Sequence, residues 1–388
     1  VEFVNRHLAA NSSPFGGTQT SNDPLPRRRP SAGRRGVGSV MSGSIKVAAG
    51  ILLSRISGFV RDAALAYYFG AGAHADVFRT VLRGPNILQN LLGEQTLSAS
   101  FIPIYARLVD DDPRAAGRFA GAILGLLLAV VSGLVLLGVL FAGPIVAVLA
   151  PGYLADATSG AAVDRYALAV RAVRWIFPMT GLLVLSAWAL GVLNSHRRFF
   201  LSYVAPVAWN AAILAALVVV GSELAGADDL LLAACRGALV GGALQFLVQL
   251  PMVLRLLRGF RLSLSHRVDG VRQALAAFLP LVAARGVVQL SGYLDLLLAS
   301  FLAVGAVGAL GWAYTLYVLP VSLFGMSVAA AELPELSRQA GEAQQRQYAG
   351  RLDGALRRVA LLVVPLKARH LIPVAAVIVS ALCLYLAL

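Results

Sequence analysis

The chain has 388 residues, of which 58% are hydrophobic and only 13% charged, with a mean hydropathy of +0.76. Soluble globular chains carry roughly 45–50% apolar and about 25% charged residues, so this composition excludes an ordinary water-soluble domain. The net charge of +14 does not point to nucleic acid, because the arginines lie between long apolar runs and not on one solvated face.

Residues 1–40 form a separate compositional zone rich in Ser, Pro, Gly and Arg, NSSPFGGTQTSNDPLPRRRPSAGRR at its centre. Such a stretch buries too little apolar surface to offset its ordering entropy, and it reads as a basic disordered extension. It lacks the apolar core of a signal peptide. A polybasic membrane-surface anchor is the functional alternative.

Apolar runs then predict spans at about 47–69, 77–106, 119–142, 166–193, 200–220, 230–254, 274–302 and 307–333, with a ninth starting near Val359. The connections after the second, fourth, sixth and eighth spans hold arginines, including Arg107, Arg114, Arg118, Arg197, Arg198, Arg255, Arg258, Arg261, Arg267 and Arg272. The connecting segments AGAHAD, AGPIVAVLAPGYLADATSGAAVD, GSELAGADD and AVGAVG, after the first, third, fifth and seventh, hold no Lys or Arg, Arg165 opening the fourth span. This alternation is the positive-inside pattern and places the N-terminus in the cytoplasm. The division expected from it is a six-helix lobe over 41–258, a partial second lobe over 259–366 and a divergent apolar segment over 367–388. The fold class expected is all-α: a polytopic, two-lobed helical bundle with an incomplete second lobe.

A faint internal repeat supports two lobes. Ser57-Gly58-Phe59 recurs as Ser291-Gly292-Tyr293, Pro85 as Pro320, Gly93 as Gly325, Pro103 as Pro334 and Arg107 as Arg338, at offsets of 231–235 residues. Spans one and two would then recur as spans seven and eight, a parallel repeat around a central cavity.

The first two spans carry charge that lipid does not tolerate cheaply. Span one holds Arg55, Arg61 and Asp62; span two holds Arg79, Arg83 and Glu94, with Asp76 at its outer end. A charge at the bilayer centre costs at least ~2.5–3.5 kcal/mol on insertion scales, so such groups face a cavity or a partner. Arg79 and Arg83 are one turn apart and share a face. The excess is cationic, and guanidinium forks suit phosphate oxygens. The plainer alternative pairs the arginines with Asp62, Asp76 and Glu94 or lets them reach the interface. Span seven holds Arg285 and Asp295, the latter where Arg61 falls in the repeat. Arg165, Arg171 and Arg174 flank the start of span four and read as interfacial anchors. Gly84, Pro85 and Gly93 mark span two as a kinked element.

No P-loop, dinucleotide motif or paired-His metal site occurs, so a soluble-type enzyme, a cofactor and a metal are not expected. Cys235 and Cys383 each sit alone in an apolar segment and read as buried hydrophobes.

The run SRISGFVRDAALAYYFGAGAHADVFRTVLRGPNILQNLLGEQTLSASFIPIYARL, residues 54–108, resembles the MurJ/MviN family of lipid II flippases. The run SGYLDLLLASFLAVGAVGALGWAYTLYVLPVSLFGMSVAAAELPELSR, residues 291–338, is similar to that family's second-lobe segment. The resemblance covers about residues 44–365. It implies the fold of the multidrug/oligosaccharidyl-lipid/polysaccharide exporter superfamily. It also implies movement of the undecaprenyl-pyrophosphate-linked peptidoglycan precursor across the bacterial cytoplasmic (inner) membrane, with cell-wall synthesis proteins as candidate partners. On it, the family's span-one arginines fall on Arg55 and Arg61, and its acidic residues on Asp76 and Glu94. Arg83 and Arg79 complete the substrate-binding set, with Asp62, Asp76, Glu94 and Asp295 supporting or gating. Three departures stand out. Gln89 and Asn90 replace a frequent arginine pair, Thr315 stands where many members have an arginine, and the resemblance fades after Val364-Pro365. The alternatives are an exporter of another polysaccharide-lipid or drug, or an inactive truncated fragment.

Overall fold

Lipid offers no partners for backbone N–H and C=O groups, so a chain of this composition must satisfy them within helices. The computed structural model describes residues 37–156, 161–221 and 226–320, and among these there are helices and turns but no strand. The chain divides into two units, Val1–Val40 and Met41–Leu388, and the packing described here is that of the second. In chain order the helices are α1 (Val37–Phe69), α2 (Ala73–Leu92), α3 (Glu94–Asp111), α4 (Pro113–Leu140), α5 (Ala142–Leu149), a 3₁₀ turn (Pro151–Ala155), α6 (Arg165–Ser195), α7 (Phe199–Gly221), α8 (Ala227–Leu256), α9 (Val271–Ser300) and α10 (Ala306–Pro320). The side chain of Glu94, the ninth span, the extension before residue 37 and the segment 367–388 lie outside the described residues. So do Gly325, Pro334 and Arg338 of the repeat.

Among the described residues, five helices (α4, α6, α7, α8 and α9) are long and apolar enough to cross a membrane. The expected second span is not one rod. It is two helices that part at Gly93, whose backbone packs so tightly on the preceding turn that a Cβ there would meet the Gln89 carbonyl oxygen. α2 itself is the charged piece, carrying Asp76, Arg79 and Arg83.

α6 is the central post. Of its most apolar stretch 89% is buried, against 28% for α4 and 6% for α9, so the middle of the bundle is built around α6 while α9 keeps a broad face outward. One core gathers Leu65, Phe78, Val81, Ile176, Ile213 and Leu231; a second gathers Phe101, Tyr105, Phe119, Trp188 and Val253. Cys235 is fully buried, as expected of a small apolar residue. Asp112 caps α4 through the Arg114 N–H, with Pro113 at the first helical position, and Asp164 caps α6 through the Ala167 N–H.

Hydrocarbon surroundings leave little hydrophobic drive between helices, so close approach rests on small residues. Gly237 and Gly241 let α8 meet the α7 backbone, where a Cβ at Gly241 would stand 2.8 Å from the Trp209 Cα and O. On α4, Gly117, Gly121 and Gly125 recur every four residues and form a groove. The extended connector after α8 lies in it, pressing the carbonyls of Arg258, Arg261 and Ser263 onto the three glycines. The Ser263 N–H also donates to the Gly121 carbonyl at 3.4 Å. The connector turns at Gly259 and Gly270, both at positive φ (71° and 83°).

Candidate functional site

The α7–α8 glycine contact fixes Trp209 and Asn210, and these hold Arg61 of α1. The Arg61 Nη1 donates to the Asn210 side-chain oxygen at 2.9 Å, and the Asn210 amide donates to Ser57 Oγ at 2.8 Å. The guanidinium lies 4.7 Å from the Trp209 ring centroid, within range of a cation–π attraction. Its Nε and Nη2 both donate to Asp62 Oδ1, at 3.0 and 2.7 Å.

Arg79 of α2 reaches the same carboxylate from the other side. Its Nη2 is 3.8 Å from Asp62 Oδ2 and donates to Thr315 Oγ1 of α10 at 3.3 Å. The Thr315 hydroxyl lies 3.3 Å from Asp62 Oδ2 and 3.0 Å from the Gly311 carbonyl, an acceptor for its single proton in either case. The Arg79 guanidinium sits 4.0 Å from the Trp312 ring centroid. Arg83, one turn further along α2, passes so close to α9 that a Cβ at Gly292 would overlap its guanidinium. The Nε atoms of Arg79 and Arg83 are buried and make no hydrogen bond in the structure. Three guanidiniums thus gather where α1, α2, α7, α9 and α10 meet, with Asp62 as the carboxylate bonded among them.

The positions expected from sequence divide accordingly. Arg61, Asp62 and Arg79 come together, and Arg83 stands beside them on the same α2 face. The carboxylate pairing weighed as the plainer alternative holds for Arg61 and Arg79, both through Asp62. Arg55 and Asp295 are exposed on α1 and α9. Asn90, at one departure from the family pattern, donates to Gln289 of α9 at 3.3 Å.

Asp76 belongs to a different assembly. It is wholly buried and accepts from the Gly305 and Gly308 backbone N–H groups, each at 2.7 Å, which anchors the start of α10. Arg165 donates to it at 3.2 Å while gripping Asp156 with both Nε and Nη2. Arg165 was expected at the interface. Instead it is 5% exposed, lying over the Tyr153 ring at 4.5 Å, because two carboxylates compensate its charge inside the protein. Burial pushes the Tyr153 phenol up from its ordinary value, against a smaller downward pull from its hydrogen bond to Thr80. Trp312 Nε1 donates to the Gly70 carbonyl, and Gly152 N donates to Ser300 Oγ, so the α1–α2 and α5–α6 connections both bind the α9–α10 corner.

Sequence reasoning missed Trp209, Asn210, Trp312 and Gly292. An asparagine inside the apolar run of α7 was the available signal, since polar side chains at membrane depth rarely lack a partner.

The family model described as lipid II flippase MurJ matches residues 65–385. The chain belongs to the lipid II flippase MurJ family. A Burkholderia cenocepacia protein named lipid II flippase MurJ is 34% identical over 322 residues, covering 81% of this chain and 60% of its own length. The chain thus spans about 60% of the length of the curated relatives it matches. Among solved structures, lipid II flippase MurJ in an inward closed conformation aligns at TM-score 0.67 and 21% identity, over 83% of this chain and 64% of that one. The MATE multidrug transporter DinF-BH in complex with R6G aligns at TM-score 0.58 and 17% identity, over 90% and 76%. Both likenesses establish the fold, a helical bundle of the kind these two proteins have, as the sequence resemblance implied.

Proposed function

We propose that this chain acts in translocating lipid II, the lipid-linked peptidoglycan precursor, across the bacterial cytoplasmic membrane by alternating access, with its N-terminus in the cytoplasm. In this reading Arg61, Arg79 and Arg83 receive the pyrophosphate, with Arg55 at the entrance, and Asp62 holds the first two in place. Asp76 joins α2 to α10, Glu94 and Asp295 take supporting or gating places, and 41–258 and 259–366 act as two lobes. Partners are the undecaprenyl-pyrophosphate substrate and, outside the bilayer, cell-wall synthesis proteins. The single supporting observation is the arginine excess: two guanidiniums on Asp62, a third one helical turn along α2, and two buried, unbonded Nε donors. A pyrophosphate would satisfy those donors with charge-assisted bonds. Buried Nε donors left without such an acceptor are costly.

The fold shared with a multidrug transporter supports a second reading, export of an amphipathic drug. A site for a cationic drug calls for a carboxylate excess, and this cluster has the opposite balance.

The test is rescue of cells depleted of their lipid II flippase by the full chain, by Arg61→Ala and by Arg83→Ala. It is paired with binding of undecaprenyl pyrophosphate and of a cationic dye to the purified protein. Rescue and pyrophosphate binding lost in both variants are expected. Undiminished rescue by both, or preference for the dye, would overturn the reading.

A further inference from the structure

Arg79 is the guanidinium of the cluster that α10 holds. On α10, Gly308, Gly311, Trp312 and Thr315 recur at i, i+3, i+4 and i+7 and so share one face. That face lies along α2. A Cβ at Gly308 would stand 2.7 Å from the Ala75 Cβ, and one at Gly311 would stand 2.8 Å from both Cδ and Nε of Arg79. Each contact takes a different part of the arginine. Gly311 rests against the stem and Nε, the Trp312 ring lies 4.0 Å from the guanidinium, and Thr315 accepts from Nη2 at 3.3 Å. The side chain keeps 20% of its surface, and Nε keeps none.

This hold fits the shape of the side chain closely but compensates its charge poorly. Arg61 has all three nitrogens bonded, two to Asp62 and one to Asn210. Arg79 has no carboxylate at hydrogen-bond distance. Asp62 Oδ2 stands 3.8 Å away, and Oδ1 of the same group already accepts twice from Arg61. Among the described residues the one hydrogen bond of Arg79 goes to the neutral Thr315 hydroxyl. Hydrogen bonds with both partners ionised are stronger and shorter, so a phosphate oxygen outcompetes that hydroxyl for the guanidinium. The start of α10 is secured differently. Asp76 accepts from the Gly305 and Gly308 N–H groups, and Gly305, at φ 94°, forms the corner before the helix. Trp312 and Thr315 lie one and two turns beyond this anchorage.

We propose, on the transport reading above, that α10 latches Arg79 away from the headgroup site and that the pyrophosphate opens the latch by drawing the guanidinium to itself. Anion binding and the packing of α10 on α2 then oppose each other, because both call on the same side chain. Whatever loosens α10 raises anion affinity, and by the same linkage a bound anion loosens α10 beyond its Asp76-held start. Trp312 and Thr315 thereby set how tightly the anion is held without touching it. They are positioning residues that act through Arg79.

The test titrates the full chain, purified in a mild neutral detergent, with undecaprenyl pyrophosphate and with undecaprenol as the control lacking phosphate. Thr315→Val keeps the outline of the side chain, removes the hydroxyl and should raise affinity for the pyrophosphate lipid several-fold. Trp312→Leu should raise it about threefold or more. Neither change should matter once Arg79 is replaced by alanine. Trp312 emission should shift when the pyrophosphate lipid binds and not with undecaprenol, as the guanidinium leaves the ring. Comparison with Trp312→Phe isolates that ring among the four tryptophans of the chain, and Arg79→Ala should abolish the shift. Lower or unchanged affinity in both α10 variants, an equal gain in the Arg79→Ala background, or an emission shift that survives Arg79→Ala would overturn the latch. Arg61→Ala and Arg83→Ala report on the transport reading separately: binding retained in both sinks that reading whatever the α10 variants do.

Discussion

Two clusters of arginine and aspartate lie within the same bundle, and they are built to opposite balances. Around Arg165, two carboxylates surround one guanidinium, the bonds are complete, and Asp76 is sealed from solvent while it also caps α10. Around Asp62, one carboxylate serves two guanidiniums, a third stands beside it, and two Nε atoms lack any bond. The first is a bolt, whose charges are spent on each other. The second leaves two guanidinium Nε donors unbonded, which is what the proposed anion site calls for. Charged residues at membrane depth therefore do not carry one meaning; what separates structure from binding is the local ratio of signs and the completeness of the bonds.

The largest effect that would break the comparison concerns the bolt. Arg165→Leu leaves the buried Asp76 and the half-buried Asp156 without their cation and should destabilise the fold by about 3–5 kcal/mol, read as a lowered melting temperature in detergent. Arg61→Ala, in a cluster already in cationic excess, should cost clearly less stability while abolishing pyrophosphate-lipid binding. A larger loss of stability at Arg61 than at Arg165 would reverse the assignment of roles.

Next comes Gly292→Ala. Its Cβ would occupy the space of the Arg83 guanidinium, and overpacking of this kind costs typically ~1–3 kcal/mol. Either the helix shifts or Arg83 moves out, and in both cases pyrophosphate-lipid affinity should fall about tenfold, measured by titration of the purified protein. Affinity equal to that of the unaltered chain would show that Arg83 needs no notch in α9.

Asn210→Ala removes an acceptor from Arg61 and a donor to Ser57. A lost bond to a charged group is worth about 1.5–3 kcal/mol, so affinity should drop about tenfold or more through a mispositioned Arg61. Asn210→Asp, which keeps the acceptor but adds a second carboxylate, should weaken anion binding further. Unchanged affinity in both would remove Asn210 from the site.

The smallest effect lies outside both clusters. His196 follows the last turn of α6, within 3.0 Å of the Tyr105 hydroxyl, and burial, aided by Arg198, lowers its pKa from the ordinary 6.5. The folded state thus favours the neutral ring. Its contribution is complete above the ordinary value and is lost as pH falls below it toward the folded value. A melting series from pH 8 to pH 5 should show a modest decline below about 6.5 that His196→Phe flattens. An identical decline in the variant would assign the effect elsewhere.

Much of this protein was legible before any coordinates. The apolar runs announced helices, since lipid leaves the backbone no other way to bond over that length, and α4, α6, α7, α8 and α9 fall within a few residues of the predicted spans. The charges of α1 and α2 stood out because apolar surroundings make them expensive. The break at Gly93 was signalled by the glycine, but a glycine alone does not say whether a helix bends or ends. Arg165 was misplaced because a helix-end arginine looks alike whether it meets water or two carboxylates. Those carboxylates, Asp76 and Asp156, stand 89 and 9 residues away.

The sequence by itself determined the solvent, the helical class, the family and the surplus of cationic charge, because all of these follow from composition and local order. Only the tertiary structure decided which arginine meets which carboxylate, that α7 supplies Trp209 and Asn210, and that the α8–α9 connector lies in a glycine groove. Those are long-range pairings. Side-chain chemistry permits many of them, and the close approach of particular backbones selects the few that form.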